Sequence, residues 1–231
     1  MSKKPAQVFH FSLQGKREDK YNFLNENSIA SVPWTELDYK EPYYFFVPKD
    51  FAEEDEYVKG FKVDELFVEI GSGVSTLRDK YCIHFNKIEL QNLINDFVNK
   101  SENQLIQEYN IQDSRDWSLN KAINDLKKNH NKDLYHKILY RPFDFRLTFY
   151  TGQSKGFIGV PQKKIANNLI NKNNIALLIP RVLKKDFTNL LITNVMGEYS
   201  CNGSNSAAET NIAPLYLYPD PPTPNKPLDK Q

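Results

Sequence analysis

An α+β fold, with a mixed β-sheet and an inserted helical subdomain, is predicted by three features of this 231-residue sequence. Short strand-like runs open the chain, a helical period follows from Lys87 to about Tyr140, and short strand-like runs return after it. Backbone punctuation at Gly71-Ser72-Gly73 and at Arg141-Pro142-Phe143-Asp144 separates these stretches. Hydrophobic residues at 40% and charged residues at 26% are ordinary for a globular protein with a real core.

Taken in order, residues 1–5 read as a disordered start, and Gln7–Leu13 alternates Val8, Phe9, Phe11 and Leu13 as a strand does. Glu18–Glu26 is a short helix with Tyr21 and Leu24 on one side, and Tyr43–Val47 reads as a second strand. Asp50–Tyr57 is acidic and loop-like, and Lys62–Phe67 is a short helix or turn. A strand is expected near Tyr81–Phe85. Leu90, Leu93, Ile94 and Phe97 then fall on one helical face, followed by Leu105, Ile106 and Tyr109. Trp117, Ala122, Ile123 and Leu126 repeat the spacing, and Leu134, Ile138 and Leu139 close it; Ser101 and Ser118 are candidate N-caps. Pro142 stops the helices because it biases Arg141 away from helical angles. Strands are expected at Phe145–Tyr150, Ile175–Ile179, Leu190–Thr193 and Ala213–Tyr218, with a helix at Pro161–Ile170. Residues 220–231, at the end of a proline-rich tail, should be disordered.

Net charge is +1, but the distribution is uneven. Residues 36–69 hold eleven acids against four lysines, a net of −7, whereas residues 114–185 hold fifteen Lys and Arg against four Asp, a net of +11. Such a basic block is the footprint expected for a polyanion, since each neutralised phosphate releases counterions. A lysine-rich solvated surface would leave the same count. Two well-separated cysteines, Cys82 and Cys201, fit a reducing, cytoplasmic compartment, and neither a spanning segment nor a signal-peptide core is seen.

No complete active site is legible. The sequence has no G-x-x-x-x-G-K-[ST], no G-x-G-x-x-G and no H-E-x-x-H, and His130 and His136 are six apart, a poor spacing for one metal. The consecutive acids Glu53-Glu54-Asp55-Glu56 read as a solvated loop. Enzymes that methylate DNA amines use an [N/D]-P-P-[Y/F/W] loop, and Asp220-Pro221-Pro222 runs into Thr223 instead.

Five strings carry a resemblance: Gln14-Gly15-Lys16-Arg17-Glu18-Asp19-Lys20-Tyr21, Pro42-Tyr43-Tyr44-Phe45-Phe46-Val47-Pro48, Gly73-Val74-Ser75-Thr76-Leu77-Arg78-Asp79-Lys80, Tyr140-Arg141-Pro142-Phe143-Asp144-Phe145-Arg146 and Pro214-Leu215-Tyr216-Leu217-Tyr218-Pro219. In this order, over residues 7–219, the chain resembles the C-terminal part of type ISP restriction–modification enzymes. These are large chains that join a nuclease, a translocase, an adenine-N6 DNA methyltransferase and a target-recognition domain. The resemblance implies a part without the catalytic machinery: residues 1–70 as a remnant of the methyltransferase sheet plus a connector, and 71–219 as the recognition domain, helical at about 87–140. It implies double-stranded DNA and the methyltransferase, translocase and nuclease domains of a parent enzyme as partners. No cofactor is expected in this chain, S-adenosylmethionine belonging to the intact enzyme.

Candidate DNA contacts follow from residue chemistry. Ser75 and Thr76 offer hydroxyls to phosphate beside Arg78 and Asp79, which can reach base edges or pair with each other. Arg141 and Arg146 flank Asp144, which can fix Arg146, so structure competes with contact there. Ser154 and Lys155 lie on a Gly/Ser/Lys loop within the basic block and suit a phosphate. Arg181 and Lys184 follow a buried strand, where loops present side chains from rigid support. Asn202 can read adenine or sit in a solvent loop. The leading expectation is sequence-specific duplex recognition, orienting DNA for methylation and cleavage elsewhere. The alternative is a docking module that completes a methyltransferase supplied by another chain, with no DNA binding of its own.

Overall fold

The computed structural model describes residues 6–181, 190–202 and 209–219. The chain divides into two compact units, 1–61 and 62–231.

The first unit holds β1 (Phe9–His10), α1 (Arg17–Glu26), β2 (Thr35–Glu36) and α2 (Glu54–Tyr57). β1 and β2 pair antiparallel, and Phe11 stacks on Phe23 with ring centroids 5.4 Å apart. The strand expected at Gln7–Leu13 shrinks to two residues because only Thr35–Glu36 pairs with it. Tyr43–Val47 forms turns and bends, not a strand, with Tyr44 at φ +47° and its hydroxyl donating to Glu41 (2.6 Å). The acidic segment expected as loop contains one helical turn, α2. No residue between 6 and 61 is buried.

The second unit runs α3 (Val63–Leu66), β3 (Gly71–Ser72), α4 (Asp79–Cys82), α5 (Lys87–Asn99), α6 (Glu102–Tyr109), α7 (Leu119–Asn129), β4 (Tyr135–Arg141) and β5 (Asp144–Phe149). It continues with α8 (Lys163–Ala166), β6 (Ala176–Pro180), β7 (Leu191–Thr193), β8 (Met196–Gly197) and β9 (Thr210–Pro214). One sheet has the order β3-β9-β6-β7 with antiparallel neighbours, and a second has the order β5-β4-β8. The second is mixed: β4 is antiparallel to β5 and parallel to β8. The fold is therefore α+β with a mixed sheet.

The helices form where the apolar spacing places them. Leu90, Leu93, Ile94 and Phe97 face inward on α5, and Ala122, Ile123 and Leu126 do so on α7. Asn86 caps α5 by accepting from the Glu89 N–H (2.9 Å), and Ser101 and Gln104 close a capping box on α6. Ser118 takes the N-cap position of α7 without a side-chain hydrogen bond. These helices share a single core with the mixed sheet, since Ile138, Phe149 and Phe157 join the same buried cluster. A smaller cluster around Leu139, Ile165, Leu178, Cys201 and Ile212 ties the antiparallel sheet to α8.

Three local expectations are corrected. Tyr81–Phe85 is not a strand: Asp79–Cys82 makes a helical turn, burying Tyr81 and Cys82, before a bridge from His84 to Leu147. Leu134–Tyr140 is not the end of a helix, because β4 begins at Tyr135 and pairs along its length with β5. Pro142 consequently turns a tight hairpin between strands, with Phe143 at φ +63° in the left-handed region used by type II turns. The Pro161–Ile170 helix reduces to α8 followed by turns, though Ile165 and Leu169 are inward as expected.

Candidate nucleic-acid interface

Two of the strings singled out from the sequence meet in space. Thr76 Oγ1 donates to Asp79 Oδ1 and accepts from the Arg78 N–H (3.2 Å), while the Tyr140 hydroxyl donates to Asp79 Oδ2 (2.9 Å). Burial, with the bond to Asp79, raises the Tyr140 phenol above its usual range. Arg141 pairs with Glu198 (2.7 Å) and lies over the Tyr140 ring at 4.0 Å. Burial pushes the Glu198 carboxyl up, opposed by the Ser200 N–H and the Arg141 guanidinium. Arg146 grips both oxygens of Asp144 and sits over the rings of Phe85 (3.8 Å) and Tyr140 (4.7 Å). That hydrogen bonding holds the Asp144 carboxyl below the usual carboxylate range.

Gly73 makes this meeting possible. A Cβ there would lie 2.4 Å from the Glu198 carbonyl oxygen, so only glycine lets the 73–75 segment run against β8 and its extension. The Val74 N–H then donates to Gly197 O (2.8 Å), and Val74 O accepts from the Tyr199 N–H (2.8 Å).

The predicted contact residues therefore divide. Thr76 is fully buried, with its hydroxyl committed to Asp79, and Ser75 is half-buried, bridged to Val160. Arg78 and Asp79 do not pair with each other: Arg78 donates to Leu77 O and Gln112 O (2.9 Å) and lies 5.0 Å from the Trp117 ring. Asn202 is an interior residue, 5% exposed, whose amide donates to Leu178 O (3.0 Å). Arg181 is paired with Glu209, and Lys184 lies outside the described residues. Ser154 and Lys155 are exposed.

A regularity follows from these pairings. All four arginines of the basic block (Arg115, Arg141, Arg146, Arg181) are bound to a carboxylate, at Asp116, Glu198, Asp144 and Glu209. Its lysines are mostly unpaired: among the described residues only Lys164 has an ion-pair partner, Glu69 at 2.6 Å.

Several of the unpaired lysines converge. A polar cleft of about 400 Å³ opens between α7 and the 151–157 loop, lined by Lys121, Asn124, Lys128, Gln153, Ser154 and Lys155 around Asp125. Asp125 is 4% exposed, and both its oxygens accept hydrogen bonds from within the protein. It accepts from the Thr151 hydroxyl (2.8 Å), the Phe157 N–H (2.9 Å) and the Asn129 amide (3.0 Å). Lys121, Lys128, Asn124 and Asp125 were not singled out from sequence. Their spacing of three, one and three residues put them on one face of α7, beside its apolar stripe.

Among the described residues no helix is long and apolar enough to cross a membrane, and no group of three His, Cys, Asp or Glu could hold a metal ion.

The Type ISP C-terminal specificity domain family matches residues 65–230, and the chain belongs to that family. It is similar in fold to a DrdV–DNA complex determined by cryo-EM, at 17% identity and a TM-score of 0.57, covering 93% of this chain and 23% of that one. It is similar also to a nuclease-deletion mutant of the type ISP restriction–modification enzyme LlaGI in complex with a DNA substrate mimic (16%, 0.57, covering 95% and 22%). A third likeness is to the ATP-dependent type ISP restriction–modification enzyme LlaBIII bound to DNA (18%, 0.51, covering 83% and 13%). The chain thus spans less than a quarter of each of these proteins. No curated protein matches it.

Proposed function

We propose that this chain is a double-stranded DNA target-recognition module of a type ISP restriction–modification system, working in the cytoplasm. It would orient a duplex for adenine-N6 methylation and cleavage by domains outside this sequence, with S-adenosylmethionine bound by those domains. The observation that carries the reading is that the basic block at 114–185 lies wholly within the family match at 65–230. Arg141 and Arg146 are held within the frame by Glu198 and Asp144, and unpaired lysines leave positive charge available to phosphates.

The test is selection of duplexes from a randomised pool by the full chain, followed by anisotropy titrations at several salt concentrations. Enrichment of one sequence, bound with steep salt dependence, is the expected result. No enrichment and no duplex binding at low salt would remove autonomous recognition. One observation favours the docking alternative instead: residues 6–61 contain no buried residue, so their aromatic surface has no core of its own to enter. Co-purification with a methyltransferase chain, without DNA affinity, is the outcome that reading requires.

A further inference from the structure

We propose that the cleft between α7 and the 151–157 loop is a phosphodiester clamp for the backbone of a DNA duplex, with Lys121, Lys128 and Lys155 as its cations. This rests on the duplex-recognition reading and assigns the phosphate-holding part of that surface.

The lining is what an anion site needs and what a base or apolar ligand does not. It contains three lysines and the Ser154 hydroxyl, and no aromatic or large aliphatic side chain on which a base could stack. None of the three lysines has a carboxylate at ion-pair distance among the described residues. Lysine acts as a hydrated point charge, suited to a phosphate and poorly suited to reading base edges in a fixed fork. The only acid in the wall, Asp125, does not face the opening as a free acceptor, since three internal donors take its oxygens.

Asp125 is instead the positioning residue. By holding the Thr151 hydroxyl and the Phe157 N–H, it fixes both ends of the loop that carries Ser154 and Lys155. Gly156 is required by the same contact, because a Cβ there would lie 2.3 Å from Asp125 Oδ2. Lys155 adopts φ +54° and its N–H donates to Gly159 O (2.8 Å), so the tip is shaped before any ligand arrives. A pre-shaped loop loses little entropy on binding.

The experiment measures duplex affinity against salt for the full chain, for the triple variant Lys121→Ala/Lys128→Ala/Lys155→Ala, and for a control triple, Lys16→Ala/Lys20→Ala/Lys59→Ala. The clamp predicts a fall in affinity on the order of tenfold for the first triple and a slope of log K against log salt shallower by about 2 to 3. The control should keep the parent slope, and thermal melting should show both triples folded. A parent that binds duplex and a first triple with the parent's slope would overturn the clamp while leaving DNA recognition standing. A parent that binds no duplex overturns both. Stabilisation of the parent by inorganic phosphate, with an unchanged duplex slope in the triple, would make the cleft a small-anion site and also overturn the proposal.

Discussion

Residues that look like ligand contacts in the sequence are in several cases structural. Thr76 and Asn202 have the right chemistry for phosphate or adenine, yet both side chains are interior and hydrogen-bonded. Exposure is set by tertiary neighbours, which residue type alone does not encode. Asp125 is the converse, an acid inside a basic block that organises its surroundings. Asp125→Ala should cost about 2 to 3 kcal/mol, because it strands the Thr151 hydroxyl and the buried Phe157 N–H; urea unfolding of the variant against the parent measures it. His136 makes a second residue-scale prediction. Burial lowers its imidazole below the usual 6.5, opposed by Asp133. A base whose folded pKa is depressed keeps its full contribution above the unfolded value and loses it as pH falls. Stability should thus decline as pH drops below about 6.5, levelling once the folded imidazole is also protonated. His136→Gln should flatten that part of the profile in melts at pH 5 to 8, a window set by the histidine range.

At the scale of elements, long periodic segments were legible and short ones unevenly so: the strands near Phe145–Tyr150, Ile175–Ile179 and Leu190–Thr193 and the helix near Glu18–Glu26 fall within a residue of expectation. The helices at Lys87–Asn99, Glu102–Tyr109 and Leu119–Asn129 follow from apolar spacing and caps. Leu134, Ile138 and Leu139 satisfy a helical spacing too, but the Tyr135–Arg141 strand won through pairing on both its edges, which no local signal encodes. Tyr81–Phe85 failed because a four-residue turn buries Tyr81 and Cys82 without needing a ladder. The cleft was half legible: the Gly/Ser/Lys loop was found, whereas the α7 lysines lay hidden among others until the fold set them opposite it. The loop yields a prediction of its own. Gly156→Ala forces Cβ into Asp125 and should cost about 1 to 3 kcal/mol while weakening duplex binding. Calorimetric melting and anisotropy on the same preparation check both effects; a destabilised variant with parental affinity would separate the loop from binding.

Across the whole molecule, stability is unevenly distributed. Every buried hydrophobic residue identified lies in the second unit, whereas the first has ring contacts, the β1–β2 pair and hydrogen bonds but no buried side chain among its described residues. Segments with few buried contacts open at low free energy. Limited proteolysis of the full chain should therefore cut first within 6–61 and leave a resistant product beginning near residue 62, identified by mass spectrometry. Simultaneous loss of both parts would mean that the first unit is secured by contacts beyond its own.

The placement of the two tryptophans turns this division into an optical one. Trp34 is 45% exposed in the first unit, and Trp117 is 1% exposed in the core of the second. Trp117 Nε1 donates to the Phe157 carbonyl (3.1 Å), the residue whose N–H is held by Asp125. The indole is thus hydrogen-bonded to the last residue of the loop that carries Lys155. With Trp34→Phe, the remaining emission would come from a single buried fluorophore, and a blue-shifted spectrum that changes as duplex is added would report loop occupancy directly. The complementary Trp117→Phe chain would carry a red-shifted signal from the first unit alone.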